Sequence, residues 1–313
     1  MNHFIKRILW AFPTLLGISL ICFLLLQLVP GEPAELLLRG RGIEPTAEQI
    51  ADYRSRLGLD RPLVMQYLTW LLHALQLDFG TSFRSGLPVT GELLSRLPAT
   101  LELLGFSFAL TMAVVILAGF LSALYKQTLF DQLVRMVSIA GLSLPSFWLG
   151  LILLYFLSVR LQWFPLMGRG GIAHLILPSF TLSLGIMAQY ARLFRSNVLE
   201  VLEQPFMKAA RAKGIKRKWL YGRHAFRSSL IPLVAIAGTS FGQFWGGSVT
   251  VEVIFSWPGL GKYMMDSISA RDYPVIQSYI FLLSLLMLLV NILTDAVYAL
   301  IDPRIRFKGA DKS

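Results

Sequence analysis

The sequence predicts an all-α integral membrane protein with six transmembrane helices, and three observations carry that reading. First, 55% of the 313 residues are apolar and the mean hydropathy is +0.61. A soluble domain averages about 45–50% apolar, with those residues dispersed. Second, the apolar residues fall in long blocks. A helix needs about 20 such residues to cross a ~30 Å hydrocarbon core, whereas a transmembrane barrel shows shorter alternating segments. Third, Lys and Arg are distributed between the blocks with a strong sidedness, as a membrane topology requires.

The elements follow in order. Lys6 and Arg7 precede an apolar run that makes the first span, about 9–29. It is too long for the 7–15-residue core of a signal peptide, and Pro30, Gly31, Glu32 and Pro33 follow instead of a small-residue cleavage site. Pro13 lies near its start as a kink candidate. Residues 30–98 form a polar extracytoplasmic segment with amphipathic helices. Thr46 and Gln49 have the spacing of a capping box, and Gly58 stops the helix they open. The run after Pro62 is about 15 residues, or ~22 Å as a helix, which is too short to span. Gln66, His73 and Gln76 interrupt it, so it reads as an interfacial helix. Residues 99–301 form the core, with spans at about 102–124, 134–158, 174–191, 231–251 and 277–300. A long loop, 192–230, joins the fourth and fifth spans, and 302–313 is a tail.

With the N-terminus in the cytoplasm, eighteen of the 29 Lys and Arg lie inside, ten of them between Arg192 and Arg227. The cytoplasmic side is then strongly positive and the outer side near neutral. A seventh span at 63–77 would put the ten-charge loop outside, against the positive-inside rule. The net charge of +11 is thereby assigned to topology and lipid, with no nucleic-acid partner. Cys22 is the sole cysteine and makes no internal disulfide.

The loop itself has internal order. Glu203 precedes Pro205, which suits the first turn of a helix. Ala209 and Ala210 are small enough for another protein to approach closely, and Gly214 is the natural break. The spacing predicts a helix, a glycine hinge and a second short helix ending near Gly222. On charge alone the loop reads as a solvated segment that obeys topology.

No enzyme constellation stands out. His3, His73, His174 and His224 have no second His or Cys at ligand spacing, so no metal site is expected. SWPGLGKY at 256–263 lacks the first Gly and the Ser or Thr after Lys that a phosphate loop needs. Polar groups inside spans are costly, and they mark the candidates for a translocation path: Gln189, Gln243, Asn291 and Asp295. Asp295 has a second reading, as a structural partner of a loop Arg. Gly238, Gly242 and Gly246 recur every four residues, which serves either close helix packing or a path. Pro145, near Ser143 and Ser146, marks a kink in the third span.

AARAKG at 209–214, with Pro232 eighteen positions after Gly214, resembles the cytoplasmic signature loop of ABC-importer permeases. RLGLDRPLVMQY, LDFGTSF, LPATLEL, FSWPGLGKY, RDYPVIQ and the terminal IDPRIR are similar, in order, to the dipeptide, oligopeptide and nickel branch. Lys208 stands where the broader signature has Glu. The resemblance covers essentially the whole chain and implies a type I permease subunit. Its expected partners are a second, homologous permease, two ATPases that use ATP-Mg, and an extracytoplasmic binding protein, with no cofactor on this chain. Ala209, Ala210 and Gly214 would lie in the element that couples to the ATPase. TWLLHALQLDFGTSF and QWFPLMGRGGIAHLILP look most like nickel or metal-chelate permeases, with di- or oligopeptides as the alternative. A membrane-embedded enzyme lacks a carboxylate pair or dyad here. A secondary transporter without an ATPase would show more spans and internal repeats.

Overall fold

The computed structural model describes residues 2–28, 34–35, 38 and 44–301, and for 2–9, 11, 235, 236, 239, 295 and 297–301 the backbone alone. The tail 302–313 and most of 29–43 lie outside the described residues. Helices dominate: α1 (Asn2–Gln27), α2 (Ala47–Arg56), α3 (Leu63–Leu75), α4 (Val89–Leu124), α5 (Leu129–Ser143), α6 (Ser146–Leu153), α7 (Ile172–Glu203), α8 (Pro205–Ala212), α9 (Arg217–Trp219), α10 (Phe226–Thr239), α11 (Phe241–Ile254), α12 (Leu260–Ser269) and α13 (Tyr273–Ile301). Wider π-helical turns extend α6 over Leu154–Arg160 and join α9 to α10 over Leu220–Ala225. Thr81 and Pro88 form an isolated bridge, and no strand occurs among the described residues.

The chain divides into two compact units, Met1–Thr100 with Pro258–Leu289 and Leu101–Trp257 with Val290–Ser313. In the first, the predicted capping box is formed: Gln49 N donates to Thr46 Oγ1 at 3.3 Å and Thr46 N donates to Gln49 Oε1 at 3.0 Å. Gly58 ends α2 at φ +67°, with Leu59 N bonded to Arg54 O and Gly58 N to Ser55 O. That double closure satisfies the last carbonyls of the helix. An aromatic chain then ties α1 to α3 and α3 to α13. Phe23 packs on Tyr67, Tyr67 on Trp70, and Trp70 edge-on against Phe281 at 5.8 Å. The Tyr67 hydroxyl lies 2.9 Å from Ser19 Oγ, so the ring's polar end is satisfied on α1.

Four of the sequence motifs meet in this unit through hydrogen bonds that spacing along the chain cannot show. Asp272, buried, accepts from Ser82 Oγ at 2.5 Å and from the backbone N–H of Phe83 and Arg84. The Tyr263 hydroxyl donates to Glu92, and the Arg96 guanidinium sits 4.0 Å over the Tyr263 ring. Leu260 N donates to Thr100 Oγ1 at 2.8 Å. These bonds explain why α4 begins at Val89, well before the apolar block at 102: its polar first turns are held by α12.

In the second unit α7 is the axis on which α5, α6, α10 and α11 pack. Its neighbours present glycine where they come closest. A Cβ at Gly119 would stand 2.9 Å from Ala191 O, and one at Gly150 would stand 3.0 Å from Thr181 Cγ2. Small residues allow this approach where no hydrophobic effect drives helices together.

Two expected spans are interrupted. Residues 134–158 are not one rod: α5 and α6 meet at 106°. Leu144 is extended there, because Pro145 disfavours helical geometry in the residue before it and offers no N–H of its own. Residues 231–251 break at Ser240, whose hydroxyl bonds the Ala237 carbonyl at 2.6 Å and competes with the helix ladder. Among the described residues, Val89–Leu124, Ile172–Glu203 and Tyr273–Thr294 are each long and apolar enough to cross a membrane, and the α5–α6 pair is a fourth if taken as one span.

Candidate functional site

Two places in the second unit gather the residues singled out by sequence. The first is the basic loop. α7 stops at Glu203, Gln204 is extended, and Pro205 opens α8 with its fixed φ. Gly214 has φ +76°. Gly214 N bonds to Arg211 O at 2.9 Å and Ile215 N to Ala210 O at 3.3 Å, the paired closure that needs a left-handed residue after the helix. The chain then turns back along α8. Met207, Leu220 and Ala225 are fully buried together, with Ala210, Ile215 and Tyr221 packed around them.

The second helix does not end near Gly222. It continues through π-helical turns into α10. Leu220 and Ala225 are five residues apart, so an ordinary 3.6-residue turn would point them away from each other. A turn closed between i and i+5 brings them to the same side, onto Met207. Of the three predicted coupling residues, Ala209 and Gly214 are exposed and Ala210 is half-buried against this small core. Trp219, 54% exposed, carries Lys218 Nζ at 5.7 Å from its ring.

One ion pair anchors this region and was not singled out from sequence, where Asp131 and Arg195 were ordinary topology charges. Asp131 is 0% exposed. It accepts from Arg195 Nε at 2.6 Å, Arg195 Nη2 at 2.8 Å, Ser122 Oγ at 2.6 Å and Gln127 N at 3.0 Å. The α4–α5 turn is thereby bolted to α7, about two turns before that helix ends at Glu203.

The second place is a cleft of about 290 Å³ between the α5–α6 break, α7 and α11. Gln189 of α7 and Gln243 of α11 both line it, with Thr181, Ser146, Gly185 and Gly247. The Tyr190 hydroxyl donates to Gln243 Oε1 at 3.5 Å. Of the other two predicted path residues, Asn291 is not among those that line the cleft. Asn291 is exposed on α13, and for Asp295 the backbone alone is described. The glycine stripe divides as well. A Cβ at Gly238 would lie 1.8 Å from Thr294 Cγ2, while Gly242 and Gly246 have nothing within 4 Å. Among the described residues no three His, Cys, Asp or Glu come together as a metal group.

Comparison with known proteins adds the family. Residues 115–307 match the model of the binding-protein-dependent transport system inner membrane component, and residues 1–104 match its N-terminal companion. The chain belongs to that family of ABC-importer permeases. This permease subunit is 41% identical over 308 residues to the glutathione transport system permease protein GsiC of Salmonella typhimurium strain LT2, covering 98% of the chain and 100% of that protein. It is 40% identical, over the same shares, to GsiC of Escherichia coli strain K12. Both matches run through the permease's basic loop and its cleft.

Proposed function

We propose that this permease subunit carries small peptides across the cytoplasmic membrane, paired with a second permease subunit, two ATPases and an extracytoplasmic binding protein. The observation that carries the substrate reading is the end-to-end likeness to permeases named for glutathione, a peptide. It supports the peptide alternative over the nickel or metal chelate that TWLLHALQLDFGTSF and QWFPLMGRGGIAHLILP point to. The N- and C-termini and the basic loop are cytoplasmic and the chain crosses six times, which is the arrangement that puts eighteen of 29 Lys and Arg inside.

The loop is the lever. Ala209 and Gly214 present a low surface for an ATPase groove, and the Met207–Leu220–Ala225 core makes α8 and the π-helical segment one body. ATP-driven closure of the ATPases pushes that body. Its two ends are α7, which walls the cleft, and α10, which leads into α11 on the cleft's other wall, so the push shifts the permease between inward-open and outward-open states. A ligand drives such a switch only through different affinity for the two states. The chain itself holds no ATP; ATP-Mg acts in the partner subunits.

The test is uptake by cells with and without the complete operating complex, using a radiolabelled tripeptide and radiolabelled nickel in parallel. Complex-dependent peptide uptake that excess nickel does not reduce is the expected result. Complex-dependent nickel uptake that peptides do not compete would overturn the substrate reading.

A further inference from the structure

We infer that the 290 Å³ cleft is a subsite that holds the backbone amide of the solute in transit, with the Gln189 and Gln243 carboxamides as its two arms. This rests on the peptide reading above and adds how the chain recognises its cargo.

The chemistry of the two arms is matched to a peptide bond. A carboxamide carries two N–H donors and a carbonyl acceptor, and a peptide bond presents one N–H and one C=O. Each arm is available. Gln189 makes no side-chain hydrogen bond among the described residues, and Gln243 engages only its carbonyl oxygen, in a long 3.5 Å bond from Tyr190. Thr181, 1% exposed, lines the same cleft with a hydroxyl that has no partner among the described residues. A buried hydroxyl left unpaired is uncommon, because its desolvation is uncompensated. Gly185 and Gly247 line the cleft too, and Gly247 lets α11 come close to α7, since a Cβ there would stand 2.8 Å from Leu182 Cδ1.

The volume is at the lower end of small-ligand pockets, about 300–1,000 Å³, and so takes a fragment of a peptide at a time. None of the lining residues is charged. The subsite therefore reads the amide that all peptides share and ignores their termini and side chains. Neutral hydrogen bonds also hold weakly, which a transit site needs in order to release.

The test uses the whole complex in liposomes, with Cys22→Ser removing the only native cysteine of this chain and Ser146→Cys placing a reporter on the cleft. The probe is Gly-Gly-Gly, and its analogue with sarcosine in the middle lacks the central N–H. ATP-dependent import of radiolabelled Gly-Gly-Gly by the unmodified complex checks the peptide reading on its own. Without import, that reading falls and this inference with it. With import, Gly-Gly-Gly should slow methanethiosulfonate labelling of Cys at 146, and the sarcosine analogue should slow it less. The near-isosteric Gln189→Met and Gln243→Met should each weaken protection about fivefold, the weight of one hydrogen bond. Co-elution with the ATPases shows that the variants assemble. Labelling that is equally fast with and without peptide, equally slow in both from lipid filling, or unaltered by Gln→Met overturns the inference while leaving the peptide reading standing.

Discussion

Asp131 gives the sharpest energetic prediction. Replacing it with Ala leaves the Arg195 guanidinium, with only 16% of its side chain exposed, facing a cavity where four hydrogen bonds ended. Removing one partner of a buried ion pair costs about 3–5 kcal/mol, because the survivor's charge is uncompensated. Arg195→Met should cost a similar amount. The double variant Asp131→Leu, Arg195→Met should recover much of it, since apolar replacement of both partners of a buried pair is often near neutral. Arg135 is the internal control: it lies 3.9 Å from the same carboxylate but is 50% exposed, and Arg135→Ala should cost about 0–1 kcal/mol. The assay is reversible unfolding of the purified chain in bicelles, followed through a steric trap, with wild type, Asp131→Leu, Arg195→Met and the double variant closing a double-mutant cycle. A coupling energy of about 2 kcal/mol or more is expected. Additive single effects, or Arg135→Ala equal to Arg195→Met, would refute the view that the pair is a buried bolt.

Three further outcomes follow from local geometry. Gly214→Pro forces φ from +76° to about −65° and breaks the closure of α8, so binding-protein-stimulated ATP hydrolysis should be lost while membrane insertion persists; unchanged stimulation would remove the lever. Gly238→Ala drives a methyl into Thr294 and should destabilise by about 1–3 kcal/mol, with partial rescue by Thr294→Ser in the same unfolding assay. Burial, with Glu92 beside it, holds the Tyr263 phenol above its ordinary ionisation, about 10. The unfolded chain would then lose that proton first, so stability from Tyr263 is complete below pH 10 and falls as pH rises beyond it. The tyrosinate absorbance difference between wild type and Tyr263→Phe should therefore appear only above pH 10, and a difference at lower pH would contradict the contact.

What could be read from the residues was what local rules control. Thr46 with Gln49, Gly58, Pro205 and Gly214 each do what their own backbone chemistry dictates, and all are found in those roles. The apolar blocks marked where helices run because hydropathy is additive along the chain. What could not be read depended on partners far along it. Val89 opens α4 because Tyr263 and Leu260 hold its polar turns. Gly222 sits inside a π-helical segment because Leu220 and Ala225 share a core with Met207. Asp131 and Arg195 are 64 positions apart and look like any surface charges until the fold buries them. Pro145 signalled a kink, whereas the helix ends there and α5 and α6 meet at 106°. Gln189 and Gln243 each stand out in sequence only as polar residues in apolar surroundings, and the packing of α7 beside α11 shows that they share one cleft.

The central claim is that the basic loop is the point where a separate ATPase grips this chain. A single cysteine at Ala209, in a Cys22→Ser background, tests it directly. It should react with an impermeant maleimide only in inside-out vesicles, and a short crosslinker should join it to an ATPase subunit of the assembled complex. Reaction from the outer face, or no crosslink to an ATPase in a complex that still transports, would contradict the account.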